Sequence, residues 1–145
     1  MSKAVIEVKG LHKIYEGAVP VKAVNGIDLV VSEGEFTALK GPSGCGKTTL
    51  LNLLGGLDQP NSGSIIIEGT DITGLSDNEL IDFRLNHIGF VFQAYNLIPV
   101  LSATENVSFI MLLQNHSKNE RWDRANQLLK AVGLAGKEDK RPAEL

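Results

Sequence analysis

The run Gly41-Pro42-Ser43-Gly44-Cys45-Gly46-Lys47-Thr48 has the spacing G-x-x-x-x-G-K-[ST], and no other stretch constrains the fold so tightly. The pattern works only between an incoming strand and an outgoing helix, so it predicts an α/β fold. Its chemistry is that of a phosphate-binding loop. An anionic tail can be held by backbone N–H groups if no side chain blocks the approach. Gly41, Gly44 and Gly46 supply that clearance and the freedom to take positive φ. The following helix points free N–H groups and the positive end of its dipole at the same place. Lys47 is expected to reach the β- and γ-phosphates, and the Thr48 hydroxyl to sit on Mg²⁺. Pro42 and Ser43 complete the loop, with Cys45 and Thr49 expected near the α- and β-phosphates. The bland alternative is a glycine-rich turn between a strand and a helix.

The local context fits. Glu35–Lys40 reads as the strand into the loop, and Thr48–Leu54 as the helix out of it, stopped by Gly55-Gly56. Upstream, Ala4–Leu11 alternates as a strand. Val19–Val31 reads as a second extended segment broken at Asn25-Gly26, with a turn at Tyr15-Glu16-Gly17. Downstream, Ser64–Glu68 is a β-branched strand closed by Gly69. Ser76/Glu79, Ser102/Glu105 and Ser117/Glu120 have the spacing of capping boxes. They predict helices to about Asn86, Gln114 and Val132. Ile88–Phe92 reads as a strand buried on both faces.

Composition narrows the functional classes. The chain has 145 residues, 43% of them apolar and 21% charged, enough for one ordinary globular domain. A net charge of −3 without a Lys/Arg run argues against nucleic acid as a partner. The longest apolar stretch, Phe109–Leu113, is too short to span a bilayer. Met1–Val8 alternates like a strand and lacks a signal-peptide core. The single Cys45 permits no internal disulfide, consistent with a reducing cytosol. Two glycosylation sequons, at Asn106 and Asn115, read as polar residues at helix ends. His12, His87 and His116 have no metal-ligand spacing, and Trp122 reads as a packing residue.

Several separate stretches together resemble the ATP-binding subunit of an ABC transporter. Gly41–Thr49 matches its Walker A motif, Val91-Phe92-Gln93 its Q-loop, and Asn61–Ile65 with Gly69 the turn and strand after Walker A. The run Phe92–Val107 resembles the subfamily serving lipoprotein release, macrolide-type export and cell-division complexes. The resemblance implies a P-loop NTPase of that type, residues 1–93 forming the antiparallel β subdomain and Walker A core, and 94–145 the Q-loop region and part of the helical subdomain. It implies ATP and Mg²⁺ as ligands. Tyr15 falls where the family stacks an aromatic on adenine, and Gln93 where a glutamine touches Mg²⁺ and the attacking water. The implied partners are an integral membrane permease subunit, for which the apolar Ala94–Leu101 loop is a docking candidate, and a second ATP-binding subunit packed head to tail. The implied location is the inner face of the cytoplasmic membrane.

The family's pattern continues past Lys140–Leu145 into its signature motif, Walker B and switch histidine, which are absent from these residues. Lys47 and Gln93 are therefore the only candidate catalytic residues, with no carboxylate in the general-base position. The expectation is a chain that binds ATP weakly without turning it over, and whose two core strands lack neighbours and lower its stability. A short non-hydrolytic module that pairs with an intact subunit is the alternative. A P-loop kinase or GTPase fits less well, because no guanine-reading Asn-Lys-x-Asp is present.

Overall fold

The computed structural model describes residues 3–145; of the alternating Met1–Val8 stretch, Met1 and Ser2 lie outside it. The chain forms two compact units, Met1–Arg84 and Leu85–Leu145.

The first unit is built on a four-stranded antiparallel sheet in the order β2-β1-β3-β4. Its strands are β1 (Ala4–Tyr15), β2 (Val21–Ser32), β3 (Ser62–Ile67) and β4 (Thr70–Asp71). Val8, Leu11, Val24, Ile65 and Ile67 are its buried residues. Leu53 joins them from helix α1 (Lys47–Leu54), and Leu80 and Phe83 from helix α2 (Asp77–His87). Burial of each such side chain contributes about 1.5–3 kcal/mol. The Arg84 guanidinium donates to the Gly56 carbonyl at 2.7 Å, fastening α2 to the turn that ends α1.

The ladders of β1 shift register at several points, two of which bear on the sequence reading. Leu11 pairs with Ile27 and His12 with Asn25, so Gly26, at φ 71°, is the extra residue on β2. The expected break at Asn25-Gly26 is thus a bulge inside one continuous strand, which glycine makes feasible. On the other side Lys9 pairs with Ser64 and His12 with Ser62. Gly10 and Leu11 therefore face Gly63 alone. The bulge lets pairing resume beyond Leu11, and β1 runs on to Tyr15, where a turn was expected. The Glu68-Gly69 pair, at φ 49° and 85°, makes the tight turn from β3 to β4.

Two expected strands are absent. Glu35–Lys40 and Ile88–Phe92 have no ladder partner among the described residues. The physical reason is that a strand exists by virtue of its neighbours. An apolar run meant for burial on both faces stays unpaired when no strand flanks it. Phe36 and Val91 are accordingly almost wholly exposed, at 97% and 102%. The phosphate loop is therefore entered from an unpaired segment rather than from the carboxyl end of a paired strand.

In the second unit α3 (Ala103–Leu113) packs on α4 (Lys118–Ala131). The small residues Ala103, Thr104, Ser108 and Ala125 are buried with Leu129. Both helices start in full capping boxes, at Ser102/Glu105 and Ser117/Glu120. At α2 the Glu79 carboxylate accepts from both the Ser76 amide and the Ser76 hydroxyl. Hydrogen bonds to the Ser117 hydroxyl and amide hold the Glu120 carboxyl below its ordinary pKa. The Ala103 and Thr104 amides donate to the carbonyls of Lys140 and Glu138 at 2.8 and 3.0 Å. Among the described residues, no helix is long and apolar enough to cross a membrane.

Candidate functional site

The phosphate loop lies in the first unit. Gly44 and Gly46 take φ 79° and 96°, the left-handed region that the sequence pattern requires. A Cβ on Gly46 would run into the Ala23 carbonyl of β2, so glycine is needed there for space as well as conformation. Gly41, expected to need positive φ as well, does not take it, and a Cβ there would meet only Cys45 Sγ at 2.7 Å, the end of a side chain that can turn aside. The loop feeds α1, which has no side-chain cap. Its first-turn N–H groups are thus not taken up by the helix's own side chains.

Lys47 holds the loop together from inside. Its ammonium donates to the carbonyls of Gly41 (2.9 Å) and Pro42 (2.7 Å) and lies 3.6 Å from Cys45 Sγ. A cavity of about 540 Å³ opens over the loop, lined by Ser43, Gly44, Cys45, Gly46, Lys47, Thr48 and Thr49, with Tyr15, Val21, Lys22 and Ala23 from the sheet. Of the sequence-predicted loop residues, Ser43 to Thr49 thus share one cavity with Tyr15, whereas Gly41 and Pro42 do not line it. Its donors suit a polyphosphate: two left-handed glycines, an uncapped helix start and a lysine ammonium. Mg²⁺ takes few protein ligands beside phosphate oxygens and water, and the exposed Thr48 hydroxyl fits that role. No cluster of three or more His, Cys, Asp or Glu side chains among the described residues could hold a metal alone.

Tyr15 stands at the end of β1 and at the mouth of the cavity. Its hydroxyl donates to Asp58 Oδ2 at 2.8 Å. Asp58 Oδ1 accepts from the Lys13 ammonium at 2.6 Å and from the Gln59 amide at 2.8 Å. Partial burial works against the Asp58 charge, but hydrogen bonds from Lys13, Tyr15 and the Gln59 amide outweigh it, and the carboxyl is held below its ordinary pKa. Lys13 and Asp58 were not picked out from the sequence. The available signal was that Lys13 lies two residues before Tyr15 on one strand.

Gln93 belongs to the second unit, exposed in the irregular segment before α3. The segment is anchored further on by Asn106. Its side-chain carbonyl accepts from the Ile98 amide at 2.8 Å, and its NH₂ donates to the carbonyls of Ile98, Leu101 and Ser102 at 3.0–3.1 Å. Tyr95 is exposed in the same stretch.

Known proteins match this architecture. The ABC transporter family profile covers residues 24–145. An uncharacterized ABC transporter ATP-binding protein of Thermotoga maritima is 44% identical over 99% of this chain and 62% of its own length. The macrolide export ATP-binding/permease protein MacB of Escherichia coli is 42% identical over 99% of this chain but only 22% of its own length. Among solved structures, the ATP-binding cassette MJ0796, in a dimeric post-hydrolysis state with ADP and Pi, superposes with a TM-score of 0.87 at 38% identity. That superposition covers 97% of this chain and 62% of the cassette. The chain thus spans about three fifths of the length of its cassette-sized relatives. Its fold is the N-terminal part of a P-loop NTPase cassette, antiparallel sheet first and helices after, and the chain belongs to the ABC transporter family.

Proposed function

We propose that this chain is the part of an ABC transporter cassette that takes Mg²⁺-ATP on its phosphate loop and presents it for transport across the cytoplasmic membrane. The observation that carries this reading is the single cavity shared by Tyr15, the left-handed Gly44 and Gly46, and the uncapped start of α1. In this reading Gly41, Pro42, Ser43, Gly44, Cys45 and Gly46 wrap the phosphates. Lys47 neutralises the β- and γ-phosphates, Thr49 contacts the α- or β-phosphate, and Tyr15 stacks on adenine. Thr48 would hold Mg²⁺, which would supply charge neutralisation, and Gln93, in the second unit, is the residue that the family pattern gives for touching Mg²⁺ and orienting water.

Binding and turnover separate. Residues 1–93 serve as nucleotide-binding core and 94–145 as the Q-loop and helical part. Neither part has a carboxylate in the general-base position, so these 145 residues bind ATP without hydrolysing it. Complete turnover takes a second cassette packed head to tail, and transport takes a membrane permease on the inner face of the cytoplasmic membrane. The run Phe92–Val107 and the MacB relative favour the lipoprotein-release and macrolide-export group.

Calorimetric titration with Mg²⁺-ATP tests the binding claim. Lys47→Ala removes a charge-assisted contact of about 1.5–3 kcal/mol, so affinity is expected to fall about 10- to 100-fold. Equal affinities of the two proteins would refute the assignment. Lys47-dependent phosphate release from the 145-residue chain would refute the separation of binding from turnover.

A further inference from the structure

We infer that Asp58, together with Lys13, is a positioning residue for Tyr15 and fixes the ring face on which a nucleotide base stacks. The inference rests on the nucleotide reading of the site given above. A tyrosine at a strand end, 40% exposed, has freedom about two side-chain torsions. Here its hydroxyl is held by Asp58 at 2.8 Å, which restrains the far end of the ring. Asp58 is in turn fixed from two sides, by the Lys13 ammonium at 2.6 Å and by the Gln59 amide at 2.8 Å. Lys13 also donates to the Gln59 carbonyl at 2.7 Å.

Lys13 has a second effect. Its ammonium lies 5.0 Å from the Tyr15 ring centroid, over one face. A cation there holds the ring by its quadrupole and closes that face to a second planar group. A base can stack only on the opposite face. The ring is thereby held at its hydroxyl and covered on one side, and the direction of stacking is set before any ligand arrives. Such preorganisation raises affinity by removing the ordering cost from the binding step.

The competing explanation is that Lys13–Asp58 merely ties β1 to the turn after α1. That tie is already made elsewhere. The Asn61 amide donates to the His12 carbonyl at 2.9 Å, and Asn61 Oδ1 accepts from the Ile14 amide at 2.7 Å. The strand end is thus joined to the turn without Asp58, and Asp58→Ala is expected to fold.

The test compares ATP with inorganic tripolyphosphate, which lacks a base, on the protein in its native full-length form. Losing one hydrogen bond of about 0.5–1.5 kcal/mol corresponds to roughly a two- to tenfold change. Tyr15→Phe, Asp58→Ala and Lys13→Met are each expected to lower the ratio of ATP affinity to tripolyphosphate affinity by about that factor. The Tyr15→Phe/Asp58→Ala double variant should lose no more than the worse single one, because both remove the same contact. An unchanged ratio, with both ligands weakened alike, would overturn the positioning role and leave Asp58 structural. For Lys13 the same result would make it a phosphate-attracting charge. Additive losses in the double variant would also overturn the proposal. If the unaltered protein binds neither ligand, the nucleotide reading itself falls, and this inference with it.

Discussion

Gly63 is a residue at which a single added methyl group should damage the sheet of the first unit. It takes φ 92° in the β1–β3 bulge. A Cβ there would lie 2.5 Å from the Gly10 carbonyl oxygen and 2.7 Å from Leu11 Cα. These are backbone atoms of a paired strand and cannot swing aside, so Gly63→Ala must part β1 from β3 locally. The left-handed conformation costs an alanine about 1–2 kcal/mol, and overpacking against backbone a further 1–3 kcal/mol. Gly69 is the natural control. It has φ 85°, but nothing lies within 4 Å of an added Cβ. Gly69→Ala should therefore cost only the conformational part, about 1–2 kcal/mol. Any stiffening of the unfolded chain is common to both variants and cancels in their difference. Amide hydrogen exchange at Val8 and Ile65, in the paired part of the two strands, reads the local stability of each variant. Gly63→Ala should lose about 1–3 kcal/mol more protection than Gly69→Ala. Losses within about 0.5 kcal/mol of each other would refute the argument that backbone contact, rather than φ alone, requires glycine at Gly63.

Two further outcomes are expected. Asn106→Ala removes the side chain that knits Ile98, Leu101 and Ser102 to α3, and should destabilise the second unit by about 2–3 kcal/mol. Urea unfolding followed by the fluorescence of Trp122 would measure it, and a loss below about 0.5 kcal/mol would mean the loop is held by other means. For Asp58, the folded pKa lies below the ordinary 3.8. Its contribution is therefore full above that value and is lost as pH falls through the lower, folded value. The stability gap between the wild type and Asp58→Asn should hold at about pH 5 and close in stronger acid; a gap that widened on acidification would contradict the sign.

Local chemistry was legible in the sequence wherever it was self-contained. Serine-to-glutamate spacing located the starts of α3 and α4, since each box satisfies itself within four residues. Gly55-Gly56 ended α1 and Gly69 closed β3, although the short return strand β4 was not foreseen. The phosphate loop was readable because its glycines are needed by its own backbone. What failed was whatever depended on distant partners. The place before the phosphate loop marked Glu35–Lys40 as strand material and a near-continuous apolar run marked Ile88–Phe92, but neither signal says whether a neighbouring strand is present. Asn25-Gly26 looked like a break because a bulge and a turn use the same residues, and only the register against β1 separates them. The Asp58–Lys13–Tyr15 cluster joins residues more than forty positions apart, with separations of 45 for Lys13–Asp58 and 43 for Tyr15–Asp58.

The clamp between residues 138–140 and the start of α3 makes the second unit a lever. The amides of Ala103 and Thr104 are tethered to Lys140 and Glu138. One step along, Ser102 is gripped by Asn106, whose side chain also holds Ile98. A displacement applied to Arg141–Leu145 would load the Ala103 and Thr104 bonds first. It would reach the loop after Gln93 through Asn106, and α4 through the Thr104 hydroxyl, which donates to Asn126 Oδ1. Tension at one end of this unit thus has a short, stiff route to the stretch that carries Gln93 and Tyr95.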